Sequence, residues 1–181
     1  GIGQSWANTT SGEIFVCTDN STDLNVWVGQ LGTTVEPAPA ITPKYETVLH
    51  TGDGLSGNVI SVPNIADGVD FVWGKARNAS LNHWLYDSLR GVGNRIQSNS
   101  TSAEDFSTEY LTAFGASSFT MGNDAQGNQS GISYITRCFS LPIDNPSNTD
   151  GTITSVTKNN SFMSAVSFDG TGINADRKSV V

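Results

Sequence analysis

Charge is scarce in this sequence, and positive charge scarcest: 14% of its 181 residues are charged, with 9 basic side chains against 17 acidic ones and a formal net charge of −8. A protein that binds phosphates through counterion release needs clustered Lys and Arg. Here Lys75, Arg77, Arg90, Arg95 and Arg137 are scattered along the chain, so nucleic acid is excluded as a partner and the cations are read as singly solvated. Apolar runs are short as well. None approaches the ~20 residues that span a bilayer, and no charged stretch followed by an apolar one opens the chain. The expectation is a soluble protein, without membrane insertion or an export signal of its own. Cysteine is limited to Cys17 and Cys138, which could pair in an oxidising compartment but fall in separate β-rich segments; two free thiols are expected. Histidine is limited to His50 and His83, little material for a nucleophilic triad.

What the chain has in quantity is Gly, Ser, Thr and Asn. Sequons of the Asn-x-Ser/Thr type begin at Asn8, Asn20, Asn78, Asn99, Asn128 and Asn159. In a secreted eukaryotic protein they would suggest a glycan coat, but this composition generates several by itself. The length allows one sizeable core and a small extra unit.

Residues 1–35 contain two strand-like runs, Glu13 to Cys17 and Leu24 to Val28, joined by turn-forming residues, and predict a small N-terminal β-hairpin module. Two strands alone are marginal in water, so the hairpin is expected to pack on the main domain or on a neighbouring subunit, with Phe15 and Trp27 as the candidate oligomer contacts. Pro37, Pro39 and Pro43 make 36–44 a semi-rigid linker. From residue 45 to 164, short strands alternate with Gly, Asn, Asp and Ser turns, a pattern that predicts an all-β sandwich or barrel. The strand candidates are 46–50, 58–62, 69–74, 84–87, 95–98, 110–114, 118–121, 133–139, 153–156 and 162–168, with one turn of helix at 102–106. Val48-Leu49-His50-Thr51-Gly52-Asp53-Gly54 is echoed by Ala165-Val166-Ser167-Phe168-Asp169-Gly170-Thr171-Gly172. Such self-similarity is the mark of tandem units, so 165–181 reads as the first strand of a truncated second repeat, or as a closing strand.

Signals for chemistry are weak. Gly52-Asp53-Gly54-Leu55-Ser56-Gly57 fits Gly-x-Gly-x-x-Gly, but the β-branched run that follows cannot start the helix a phosphate site requires. His83 and Asp87 share a strand face without a nucleophile elbow. Asp67, Asp70, Asp87, Glu104, Asp105 and Glu109 are candidate acids for glycoside hydrolysis, with no spacing rule to support them. Asn123–Asn128 and Asp144–Gly151 are oxygen-rich loops that could hold Ca²⁺, although Asx turns explain them as well. Trp73, Trp84 and Tyr86 could stack on sugar rings as glycan contacts, or simply pack a core. No catalytic residue, cofactor or metal ligand is assigned.

Five segments resemble, in order and spacing, the successive signatures of a repeat domain in bacteriophage virion proteins: 70–78, beginning Asp70-Phe71-Val72-Trp73; 84–91, beginning Trp84-Leu85-Tyr86-Asp87; 95–101; 118–122; and Tyr134-Ile135-Thr136-Arg137-Cys138-Phe139. Residues 148–154 are similar to the segment that typically follows, and 6–19 look like a module of phage tail-fibre and structural proteins. The chain departs from the pattern at Phe139, where family members usually place Trp. The resemblance implies a concanavalin A-like jelly-roll sandwich on a tail fibre or related appendage at the virion surface, non-enzymatic and homo-oligomeric, a homotrimer for instance. Its implied partners are other virion proteins and a host surface glycan. A capsid decoration protein, a carbohydrate-binding module and a polysaccharide-degrading spike remain as alternatives.

Overall fold

The computed structural model describes residues 3–7, 13–21, 24–29, 34–35, 42–149 and 151–172. The chain divides into two compact units, 1–41 and 42–181, and every regular element among the described residues is a β-strand.

In the first unit β1 (Ser5–Ala7), β2 (Ile14–Ser21), β3 (Leu24–Gly29) and β4 (Thr34–Val35) form one antiparallel sheet in chain order. The expected hairpin is its centre, and β1 and β4 extend it on both sides. Phe15 is buried and stacks on Trp6, with ring centroids 4.8 Å apart. The ring expected to reach a neighbouring subunit is therefore covered by its own chain, because β1 brings Trp6 opposite it. Among the described residues of this unit the large apolar side chains left exposed are Trp6, Ile14 and Val16. Trp27 lies in β3, and its side chain, like linker residues 36–41, lies outside the described residues.

The second unit contains β5 (Tyr45–Thr51), β6 (Asn58–Ser61), β7 (Phe71–Ala76), β8 (Trp84–Asp87), β9 (Asn94–Arg95), β10 (Asp105–Phe106), β11 (Leu111–Phe114), β12 (Ser118–Met121), β13 (Ser133–Phe139), β14 (Ile143–Asn148), β15 (Ser155–Asn159) and β16 (Ser164–Phe168). A four-stranded sheet, β5-β13-β7-β8, faces a three-stranded one, β11-β12-β6, to make an all-β antiparallel sandwich. Strict alternation sends one side of each strand inward: Tyr134, Thr136 and Cys138 from β13, Val72, Gly74 and Ala76 from β7. They meet Ile60, Leu111, Phe119 and Met121 of the opposite sheet. Burying each large apolar side chain contributes about 1.5–3 kcal/mol. Trp84 lies directly across from Gly74, its indole filling the space a side chain there would need, an aromatic covering a glycine within a sheet.

The Gly-x-Gly-x-x-Gly segment is the turn from β5 to β6, with Gly54 and Gly57 at φ of 74° and 92°, a region that favours glycine. Fully buried Asn128 closes this turn: its amide nitrogen lies 2.8 Å from the Leu55 carbonyl, 2.9 Å from that of Gly122 and 3.0 Å from Asp53 Oδ1. Its carbonyl oxygen accepts from the Asp53 backbone and from Asn58.

The expected helical turn at 102–106 is extended instead. Asp105 and Phe106 pair with Arg95 and Asn94, and the Arg95 guanidinium binds the Asp105 carboxylate at 2.7 Å, a contact that local propensity does not contain. The third sheet, β14-β15-β16, has β16 at its edge. It is tied to the sandwich by Lys158, 3.1 Å from Asp70, and by Asn160, whose amide donates to the Ser140 carbonyl at 2.6 Å.

Candidate functional site

The alternation that buries one side of β7 and β13 turns the other side outward. Trp73, Lys75, Ile135 and Arg137 are half-buried there, and Arg77 continues the outward series of β7 in full exposure. The register sets Arg137 opposite Trp73 and Ile135 opposite Lys75. The Arg137 guanidinium lies 5.5 Å from the centroid of the Trp73 ring, within cation–π range. Trp73 Nε1–H donates to His83 Nδ1 at 3.0 Å, which holds the indole in place. Lys75 Nζ donates to the carbonyls of Ala76 and Ala79. On the β5 side Leu49, 62% exposed, lies opposite Ile135. No outward position of β5, β7 or β13 carries a carboxylate.

The ion pairs of the molecule set this face apart. Lys44 pairs with Asp67, Arg90 with Asp87 and Glu104, Arg95 with Asp105 and Asp124, and Lys158 with Asp70. Among the described Lys and Arg, those without a carboxylate partner are Lys75, Arg77 and Arg137, and all three lie on this one face. Scatter along the sequence thus becomes a cluster in space through the pairing of β13 with β7. A signal was available: Trp73, Lys75 and Arg77 stand at every second position, on one side of a strand.

Two of the three candidate glycan contacts lie elsewhere. Trp84 and Tyr86 are 0% exposed, so neither can present a ring to a sugar; they belong to the core, and Trp73 alone of the three reaches the surface. Tyr86 belongs to an internal polar network. Its hydroxyl donates to Asp124 at 3.3 Å, and Arg95 Nη1 binds the same carboxylate at 3.3 Å while its Nη2 contacts Asp105 and the Tyr110 hydroxyl. Burial opposes the Arg95 charge, but the Asp105 bond and the surrounding Tyr86 and Asp124 outweigh it and hold the guanidinium above its usual range. Asp105 is held below the usual carboxylate range, chiefly by the hydrogen bond from Arg95. Burial and the Asp124 charge push the Tyr86 phenol up.

The remaining candidates are engaged in structure. Asp70 accepts from Ser88, from the Leu141 backbone and from Lys158. Asp87 binds Arg90, and Asp67 binds Lys44. Of the loops considered for Ca²⁺, the first spends Asp124 on Arg95 and Tyr86, and the second is largely strand β14 paired to β15. Among the described residues no group of three or more His, Cys, Asp or Glu side chains converges for a metal. His50 stacks on Tyr134 at 5.2 Å and meets the edge of Phe119. Burial lowers its pKa to about 4; the Gly127 backbone opposes that shift without completing a hydrogen bond to either ring nitrogen. Cys17 and Cys138 are buried and not joined in a disulfide, and burial, with the Glu46 charge, pushes Cys138 up to about 12. A groove of about 370 Å³ runs between Phe71, Leu89 and Ile96 on one side and Met163, Val166 and Phe168 on the other. Its charged groups, Asp87 and Arg90, are paired to each other.

No curated protein and no solved structure matches the chain. Residues 42–178, which include the whole sandwich and the cationic face, match the family model described as "Domain of unknown function (DUF7483)", and the chain belongs to that family.

Proposed function

We propose that the chain is a non-catalytic structural and adhesive component of a bacteriophage virion, carried on a tail fibre or other surface appendage and contributing to host-surface attachment. The observation that carries the adhesive part is the Trp73–Arg137 face: cations left unpaired beside an anchored indole on the outer side of a packed sandwich. The acids and histidines considered for hydrolysis or nucleophilic attack are meanwhile occupied by structural partners or buried.

The virion part rests on the resemblance. Four of its segments hold β7, β8, β12 and β13, so most of the likeness falls on strands of the two facing sheets, while the segment 95–101 adds only Arg95 of β9. The exposed Trp6, Ile14 and Val16 of the N-terminal unit are the kind of apolar surface that a neighbouring virion subunit covers, which supports a homo-oligomer or assembly contact there. The test is a cryo-electron reconstruction of the particle that carries this protein. Copies gathered around the axis of an appendage, with residues 42–181 outward, are the expected result. Copies spread over a capsid lattice would make it a decoration protein and overturn the attachment role.

A further inference from the structure

We propose that the outward face of β7 and β13 binds an acidic saccharide, a chain bearing carboxylate or sulfate groups, with Arg137, Arg77 and Lys75 taking the anions and Trp73 the sugar. This rests on the attachment role above and specifies its ligand. Charge complementarity is the first ground. In a chain of net charge −8, cations without acid partners would be expected singly and dispersed, yet these three share one sheet face, on whose strands the outward carboxylate, Asp87 of β8, is already paired with Arg90.

Geometry is the second ground. The guanidinium of Arg137 has no side-chain acceptor and is steadied by the Trp73 ring, so its planar fork is available for bidentate binding of a carboxylate or sulfate. Lys75 and Arg77 are successive outward positions, about 7 Å apart along a strand, which suits anions that repeat along a polymer. The indole, fixed by His83, and the apolar surface of Ile135 and Leu49 beside it offer flat apolar area to the C–H side of a sugar ring. An acidic peptide fits less well. Extended peptides bind sheets by adding a strand to an open edge, whereas β7 and β13 are interior strands, each hydrogen-bonded on both sides.

The test measures binding of the full chain to alginate oligosaccharides and to dextran sulfate, with neutral dextran and poly-glutamate as controls. Alginate or dextran sulfate should bind, more weakly as salt rises, and dextran and poly-glutamate should bind at least about tenfold more weakly, a difference of ~1.4 kcal/mol. The double variant Arg77→Gln, Arg137→Gln should lose about tenfold or more in affinity with an unchanged melting temperature, because neither side chain has an ion partner to lose. Trp73→Phe should weaken binding while keeping a ring. Equal affinity for dextran, equal affinity for poly-glutamate, no binding to either acidic polymer, or an Arg double variant that binds like the parent would each overturn the inference. Its failure is separable from that of the attachment role. Appendage copies that bind neither acidic polymer remove only the ligand class, whereas capsid-lattice copies remove the attachment role even where alginate binds.

Discussion

Gly74 and Trp84 show how a single hydrogen atom in place of a side chain can decide the packing of a sheet. A Cβ at residue 74 would fall inside the Trp84 ring, and Trp84 is itself locked between Tyr86 and Phe119. Gly74→Ala is therefore expected to destabilise the second unit by about 1–3 kcal/mol, the usual cost of overpacking, read as a lower melting temperature in thermal denaturation. The same strands show what was legible residue by residue. Trp73 shares its side of the strand with Lys75 and Arg77, and that company marks it as outward. Trp84 and Tyr86 share a side only with each other, and the position between them is Leu85, so period-two reasoning pairs them correctly without saying which way they face. That direction is set by the opposing sheet, through Phe119 and Met121, and no local pattern encodes it.

Strands with apolar inward faces were the ones the sequence exposed: 84–87, 118–121 and 133–139 coincide with β8, β12 and β13. In the third sheet the candidate 162–168 contains β16, whereas β15 is displaced and β14 is missed, each for a physical reason. β15 buries Ser155, Thr157 and Asn159, a polar inward face invisible to hydropathy, so it was expected at 153–156. β14 passes through Pro146 beside a register shift between Asn145 and Asn148 and read as a loop, since proline belongs at strand edges and bulges. The Lys158–Asp70 pair is one of the anchors of this sheet. Lys158→Met should leave the sandwich intact and ease local opening of β14–β16 by about 1 kcal/mol, in keeping with a partly exposed ion pair. Native-state hydrogen exchange checks it: amides of β15 should exchange several-fold faster, those of β13 unchanged.

The molecule as a whole should be sensitive to acid through His50. Its pKa is 6.5 in the unfolded chain and about 4 when folded, so folding favours the neutral ring. The corresponding stability is fully present above pH 6.5 and is lost as pH falls towards 4, a decline of about 3 kcal/mol. Denaturation midpoints measured between pH 7 and pH 4 should fall accordingly, and His50→Phe should flatten the slope. The all-β class and the division into a small N-terminal part and a larger sandwich could be read from strand lengths and prolines; of the cationic face only the Trp73, Lys75 and Arg77 row could, because Arg137 joins it only once β13 pairs with β7. The closure of the β5–β6 turn bears on where such a chain can be made. Asn128 heads the sequon Asn128-Gln129-Ser130, and the finished fold encloses its amide completely. An oligosaccharyltransferase meeting the nascent chain would modify that nitrogen before the turn shuts, and the bulky product could not be enclosed. Expression in a eukaryotic secretory host is therefore expected to give misfolded chains wherever Asn128 is glycosylated, and Ser130→Ala, which removes the sequon, should restore the yield.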